Sequence, residues 1–296
     1  MAAILLDAGG VMLFPSPDLL LPPLRSAGLL PTPADLRRAH YRAMADCDEP
    51  AREPPGGQWW LEYLRDFVTA CGVLMADADA VASDIVGLTD GFSWTQVGPG
   101  VPDALRGIAA LGLPVGVVSN STGEVEQTLR RLSVCYADPG TASTENTVNT
   151  ESTASTADTA SAVDTGSSAD TAGTVDTAGT VGTMRIMGTR DTPSTTGIAS
   201  LGGAGVEVGA VIDSAVVGVS KPDPAIFTVA LDALGLSQVD RREVVHVGDS
   251  LRYDVTGAIA AGVRAVHLDP HGFCPAPGGH EHIRHLGEIV ALAAGR

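Results

Sequence analysis

Four short polar segments in this 296-residue chain carry side chains that could act on phosphate. Asp7-Ala8-Gly9-Gly10 sets a carboxylate beside two glycines, which let backbone approach a ligand closely. Ser119-Asn120-Ser121-Thr122 offers hydroxyls and an amide just ahead of a helical segment starting near Glu124, where free backbone N–H groups suit phosphate oxygens; the same residue types also serve as plain helix caps. Lys221 lies in Ser220-Lys221-Pro222-Asp223-Pro224, where two prolines fix an extended entry into a helix, so its ammonium could neutralise both a carboxylate and a transferring phosphoryl group. Gly248-Asp249-Ser250-Leu251-Arg252-Tyr253-Asp254 adds two more carboxylates. With Asp7 they offer the hard oxygen ligands that Mg²⁺ prefers, with positions left for water and a phosphate oxygen. Each segment alone is a weak signal, and their order along the chain is the strong one.

The elements that must position these groups follow from apolar runs. Residues 2–6, 113–118, 243–247 and 263–268 are short, nearly continuous apolar stretches, each ending at a polar or glycine-rich segment, as expected of strands buried on both faces of a parallel sheet. Helical patterns alternate with them, over Pro102 to Leu111, Glu124 to Leu132, Pro224 to Leu234 and Asp254 to Ala261. That alternation predicts an α/β chain with a doubly wound parallel sheet, in which ligands sit outside the carboxyl ends of the strands. Residues 15–95 read as an inserted, mostly helical module, with Pro33 to Arg38 and Gln58 to Leu64 as amphipathic segments separated by Pro or Gly pairs. From Thr141 to Thr195 a threonine recurs every six residues, so residues 137–204 read as a Thr/Asp/Ala/Gly low-complexity insert, with too little apolar surface to offset the entropy of ordering. The thin alternative is a small β-solenoid.

Charge and composition narrow the partners. With 35 acidic and 18 basic residues the formal charge is −17, which disfavours nucleic acid and anionic lipid. No run of about 20 apolar residues offers a membrane span, and the N-terminal stretch, interrupted by Asp7, lacks a basic leader, so the cytoplasm is expected. The four cysteines, Cys47, Cys71, Cys135 and Cys274, show no ligand spacing and give a zinc site no support. His246 and His267 read as hydrogen-bonded core or rim residues. His271, His280, His282 and His285, in a Gly- and Pro-rich tail, suggest a weak metal site at best and read better as solvated loop, and Trp59, Trp60 and Tyr63 as packing. Oligomeric state is not legible.

Taken together, Asp7, Ser119, Lys221 and the Asp249/Asp254 segment resemble the motif set of the haloacid dehalogenase-like (HAD) hydrolase superfamily, in the subgroup with a helical cap between its first two motifs. The resemblance implies a Rossmann-like core at 1–14, 96–136 and 205–296, with 15–95 in the cap position. It implies Asp7 as the nucleophile that forms an aspartyl-phosphate, and Ser119 and Lys221 as holders of the phosphoryl group, with Asn120 beside them in the anion pocket. Mg²⁺ would be ligated by Asp7, the Gly9 carbonyl and Asp249, supported by Asp254, and the substrate would be a small phosphorylated metabolite. One position departs from the pattern: Gly9 stands where the family's phosphatases carry a second Asp as general acid and base. A phosphatase with weakened proton transfer is therefore one reading, a catalytically silent scaffold another, and a 2-haloacid dehalogenase, whose halide leaves without a proton, a third.

Overall fold

The computed structural model describes residues 1–49, 59–88, 93–138 and 205–295. The chain divides into two units, Met1–Thr144 with Leu201–Arg296, and Glu145–Ser200. The hexad-repeat reading concerns residues that lie outside the described ones.

The first unit is built on strands β1 (Ala3–Leu6), β4 (Val115–Ser119), β7 (Ala210–Asp213), β8 (Val244–Gly248), β9 (Arg264–Leu268) and β10 (Glu281–Ile283). They form one parallel sheet in the order β10-β9-β8-β1-β4-β7. Period-two alternation sends successive side chains to opposite faces, and here both faces are apolar. Ile4, Leu6, Val115, Val117, Val245 and Val247 enter one core with helices α5 (Val101–Ala109), α6 (Val125–Arg131) and α10 (Glu288–Ala293). Ala3, Leu5, Val118 and Val244 enter the other with α8 (Ala225–Ala233) and α9 (Thr256–Ala260). Burial on both sides explains why these strands read as unbroken apolar runs. The short helix α7 (Ser214–Val217) and the parallel pair β5 (Cys135–Ala137) and β6 (Val206–Val208) complete this layer structure. The expected α/β class and doubly wound, Rossmann-like sheet are what the chain adopts.

Between β1 and β4 lie helices α1 (Pro17–Ser26), α2 (Pro33–Cys47), α3 (Trp59–Ala70) and α4 (Ala78–Gly87), framed by the antiparallel strands β2 (Leu13–Pro15) and β3 (Trp94–Val97). Thr32 starts α2 with a reciprocal capping box: its hydroxyl accepts from the Asp35 N–H while the Asp35 carboxylate accepts from the Thr32 N–H. The four helices bury Leu24, Leu36, Met44, Tyr63, Phe67 and Ile85 in an apolar cluster of their own.

One expectation needs correction, and two strands went unread. Pro22 and Pro23 lie inside α1, where burial of Leu20, Pro23 and Leu24 against the helical cluster holds the segment helical despite two absent N–H donors; the Pro and Gly pairs expected between the two amphipathic segments lie outside the described residues. The edge strands β7 and β10 were not foreseen: β10 is short and largely polar, and β7, an apolar run ending at Asp213, was passed over. The tail around His282 is accordingly not loop, because Glu281–Ile283 pairs with Val266–Leu268.

Candidate active site

Three strand ends and one helix entry bring the acids together. Asp7 follows β1, Asp249 follows β8, and a π-turn over Leu251–Val255 swings Asp254 back toward the strand it has just left. One carboxylate oxygen from each of the three lies within 4.8 Å of the others. The Lys221 ammonium is buried among them, 3.0 Å from Asp7 Oδ1 and 2.6 Å from Asp254 Oδ1. Asp254 also accepts from the Ser250 N–H at 3.1 Å and pairs with His246 Nε2 at 2.8 Å, and Asp7 Oδ1 accepts from the Ala8 N–H at 2.7 Å.

The electrostatics separate the acids. Burial pushes the Asp7 carboxyl up to about 7, Lys221 only partly opposing it while Asp254 and Asp249 add repulsion. Burial acts on Asp254 too, but Lys221 and His246 outweigh it and hold that carboxyl well below the usual range. The ammonium is thus shared unequally, with Asp254 closer and better hydrogen-bonded. Lys221 itself stays charged, because the attraction of Asp254 and Asp7 overcomes the loss of solvation.

Glycines make this density of charge possible. Gly10 has φ +65°, and a Cβ there would lie 2.0 Å from Asp249 Oδ2; at Gly248 it would lie 2.0 Å from Asp254 Cγ. Gly9 differs, since its missing side chain would meet the Trp94 indole at 3.3 Å. The loop's backbone bonds run from Leu13 N–H to Ala8 O and from Gly10 N–H to Leu13 O, bypassing the Gly9 carbonyl.

A divalent ion fits this donor set. Among the described residues, Asp7 Oδ2 and Asp249 Oδ1 have no hydrogen-bonded partner, and the three acids carry more negative charge than one ammonium balances. Hard oxygens with open positions match Mg²⁺.

Sequence reasoning missed three residues of α2 and its C-cap that reach this site. His40 Nε2 lies 2.8 Å from Asp249 Oδ2, and its Nδ1 lies 2.8 Å from the Tyr63 hydroxyl. The Tyr41 hydroxyl donates to Gly10 O at 2.7 Å. Asp48, pushed up to about 7 by burial, accepts from Ser250 Oγ and from the N–H groups of Leu251 and Arg252. Their signal was a run of polar groups on the same helix that buries Leu36, Ala39, Ala43 and Met44. Tyr63, expected only to pack, is stacked on Trp60 and also supports His40. Removing an outer-shell partner of a ligating carboxylate typically costs about 10–100-fold in metal affinity. If Asp249 ligates Mg²⁺, His40→Phe should raise the Mg²⁺ concentration needed for half-maximal stabilisation by that factor, measured by thermal melting against Mg²⁺.

The expected anion pocket is held by its surroundings. Ser119 ends β4, buried and in register with Asp213. Asp213 accepts from Ser121 Oγ and from the N–H groups of Gly123, Val125 and Ala215, which fixes the turn after Ser119. Asn120 turns its side chain onto the Lys221 backbone, donating to Lys221 O at 2.9 Å and accepting from its N–H at 2.8 Å. The Asn120 side-chain amide thus positions Lys221.

Comparison with known proteins agrees with the geometry. Residues 185–262 match the family model described as haloacid dehalogenase-like hydrolase. A segment of 59 residues is 48% identical to a phosphoserine phosphatase of Thermus thermophilus, covering 20% of this chain and 22% of that relative, so the match spans about a fifth of the relative's length. Among solved structures, a HAD phosphatase from Thermococcus onnurineus aligns over 100% of this chain and 99% of its own at 18% identity, with a TM-score of 0.46. A 2-haloacid dehalogenase from Pseudomonas syringae aligns over 100% and 99% at 17% identity, with a TM-score of 0.43. The matched segment contains Lys221, Asp249 and Asp254, which the fold gathers around Asp7. Over residues 185–262 the chain is similar to the haloacid dehalogenase-like hydrolases.

Proposed function

We propose that the chain is a Mg²⁺-dependent phosphatase that cleaves small phosphorylated metabolites through an aspartyl-phosphate at Asp7. The observation that carries this reading is the Lys221 ammonium bridging Asp7 and Asp254, with Asp249 beside them. A metal-independent dehalogenase has no need for Asp249 and Asp254, so the intact acid pair favours phosphate chemistry.

In this reading Asp7, Asp249 and the Gly9 carbonyl hold Mg²⁺, with Asp254 in support. When bound, the ion would offset the charge of non-bridging phosphate oxygens and favour the ionised Asp7 carboxylate that burial otherwise disfavours. Asp7 attacks phosphorus, the phosphorus–oxygen bond to the leaving group breaks, and the phosphoryl group rests on the carboxylate. Lys221 stays protonated and offsets charge gathered on the transferring group, while Ser119 and the turn after it face the remaining oxygens. Water then attacks phosphorus, releasing inorganic phosphate and restoring Asp7. With Gly9 in place of an acid, the leaving oxygen departs as its anion or takes a proton from water. Helices α1–α4, in the cap position, select the substrate.

An aryl phosphate, whose leaving group needs little protonation, is the appropriate probe. Purified chain should hydrolyse it in Mg²⁺, with loss of activity on chelation and in Asp7→Asn. At limiting Mg²⁺ the rate should fall as pH drops through about 7, because the attacking carboxylate must be ionised and burial holds it near that value. Saturating Mg²⁺ should move this limb to lower pH. Turnover no faster than that of Asp7→Asn would remove the proposal.

A further inference from the structure

Beyond the acidic site, β9, β10 and the loop between them gather a second set of ligand-type side chains. His267, Cys274, His280 and His282 each bring one ligand atom within 4.8 Å of all the others. His280 Nε2 lies 3.4 Å from His267 Nδ1 and 3.8 Å from Cys274 Sγ. Zinc bound tetrahedrally, at about 2.0–2.1 Å to nitrogen and about 2.3 Å to sulfur, sets nitrogen–nitrogen edges of about 3.3 Å and nitrogen–sulfur edges of about 3.6 Å. The two separations are close to those edges, and they are long for direct hydrogen bonds.

The surroundings are those of ligands held in place. His267 turns its outer nitrogen, Nε2, to the Asp249 carbonyl at 3.1 Å, the partner that a ligating imidazole usually finds. Asp269 accepts from the N–H groups of Phe273 and Cys274, at 2.8 and 3.1 Å, which bends the loop so that Cys274 returns toward β9. The same carboxylate stands 3.8 Å from His282 Nδ1. Three imidazoles pack with ring centroids 4.5, 5.2 and 5.4 Å apart, an arrangement for which apolar packing gives no reason.

We propose that His267, Cys274, His280 and His282 form a closed site for Zn²⁺, separate from the acid cluster that suits Mg²⁺. A thiolate and three imidazoles select a borderline-soft ion over a hard one. Four protein ligands leave no open position, so the role is structural: the ion ties edge strand β10 and its loop to β9. The loop also lies against α2, where Arg38 Cζ sits 4.8 Å over the Phe273 ring, and His267 connects it to the Asp249 backbone. Binding displaces the Cys274 proton to solvent. The sequence reading gave the tail histidines only a weak metal site, without His267 and Cys274, because the ligands are spread over sixteen positions without a recognised spacing and are joined only by the β9–β10 pairing.

The test uses the full chain stripped of metal and titrated with Co²⁺, then Zn²⁺. One Co²⁺ should bind with tetrahedral absorption and a thiolate charge-transfer band; Zn²⁺ should abolish both, and excess Mg²⁺ should not. Cys274→Ser should lose the charge-transfer band, and His282→Ala, at a solvent-facing ligand, should weaken binding while keeping it. Should Cys274→Ser fail to fold, alkylation of Cys274 in the unmodified chain serves instead, with protection by Zn²⁺ but not Mg²⁺ expected. Co²⁺ binding without a thiolate band, displacement by Mg²⁺, or equal alkylation with and without Zn²⁺ would each overturn the site.

Discussion

Lys221→Met should destabilise the chain by about 3–5 kcal/mol at pH 8, the usual consequence of breaking a buried ion pair from one side. The variant keeps Asp7 and Asp254 within the same dry cluster but removes the charge both of them face at 3.0 and 2.6 Å. Folding then requires a buried carboxylate to remain uncompensated or to take up a proton. The second route fixes the sign of the pH dependence. Without the ammonium the folded-state pKa values of both acids rise, so the penalty is small below the unfolded carboxylate range, grows as pH climbs from there toward those raised values, and levels off above them. Urea unfolding at pH 5 and pH 8, with and without Lys221→Met, checks this. Adding Asp254→Asn to the variant should recover part of the loss at pH 8, since one of the two stranded charges is then gone. Activity should fall as well, by about 10²–10³-fold, the typical effect of deleting one electrostatic stabiliser of a transition state. A variant within about 0.5 kcal/mol of the parent at pH 8 would mean that Lys221 is not what balances the acids.

The behaviour of Lys221 also marks what the sequence could and could not reveal. Strands buried on both faces announce themselves as apolar runs, so β1, β4, β8 and β9 were legible, and with them the polar segments at their carboxyl ends. Asp7 and Asp249 meet because β1 and β8 are neighbours in register, with Leu6 beside Val247, and that adjacency follows from the doubly wound topology. Edge strand β10 is short and polar, and β7, as long as β1 and apolar up to Asp213, was overlooked; their absence from the reading hid Asp213 and the histidine-cysteine cluster. His40, Tyr41 and Asp48 were hidden for another reason. Helical periodicity shows that α2 has an inward face but not what it packs on, so three polar residues there could not be assigned to the loops of Gly10 and Asp249–Arg252. Both omissions are contacts between segments remote in sequence, the information that local pattern does not carry.

Gly9→Asp should speed hydrolysis of alkyl phosphates by about 10²–10⁴-fold while changing aryl phosphates little, because a positioned acid matters in proportion to how poorly the leaving group departs on its own. The backbone accepts the change, since Gly10 rather than Gly9 adopts the positive φ in this turn. The obstacle is Trp94. Its ring carbon would stand 3.3 Å from the new Cβ, so the indole must yield by a few tenths of an ångström against the His40 and Tyr63 rings at 5.3 and 6.2 Å. Gly9→Asp with Trp94→Leu should therefore gain more on alkyl substrates than Gly9→Asp alone. A fourth carboxylate also adds repulsion to an Asp7 already near 7, so the gain should need more Mg²⁺ and vanish on chelation. The ratio of alkyl to aryl rates separates the explanations. If that ratio rises, the glycine had removed a proton donor from an otherwise working site. If both rates stay at the level of Asp7→Asn, the site lacks more than an acid, and Trp94 over Gly9 is the packing of a chain that no longer turns over phosphate esters.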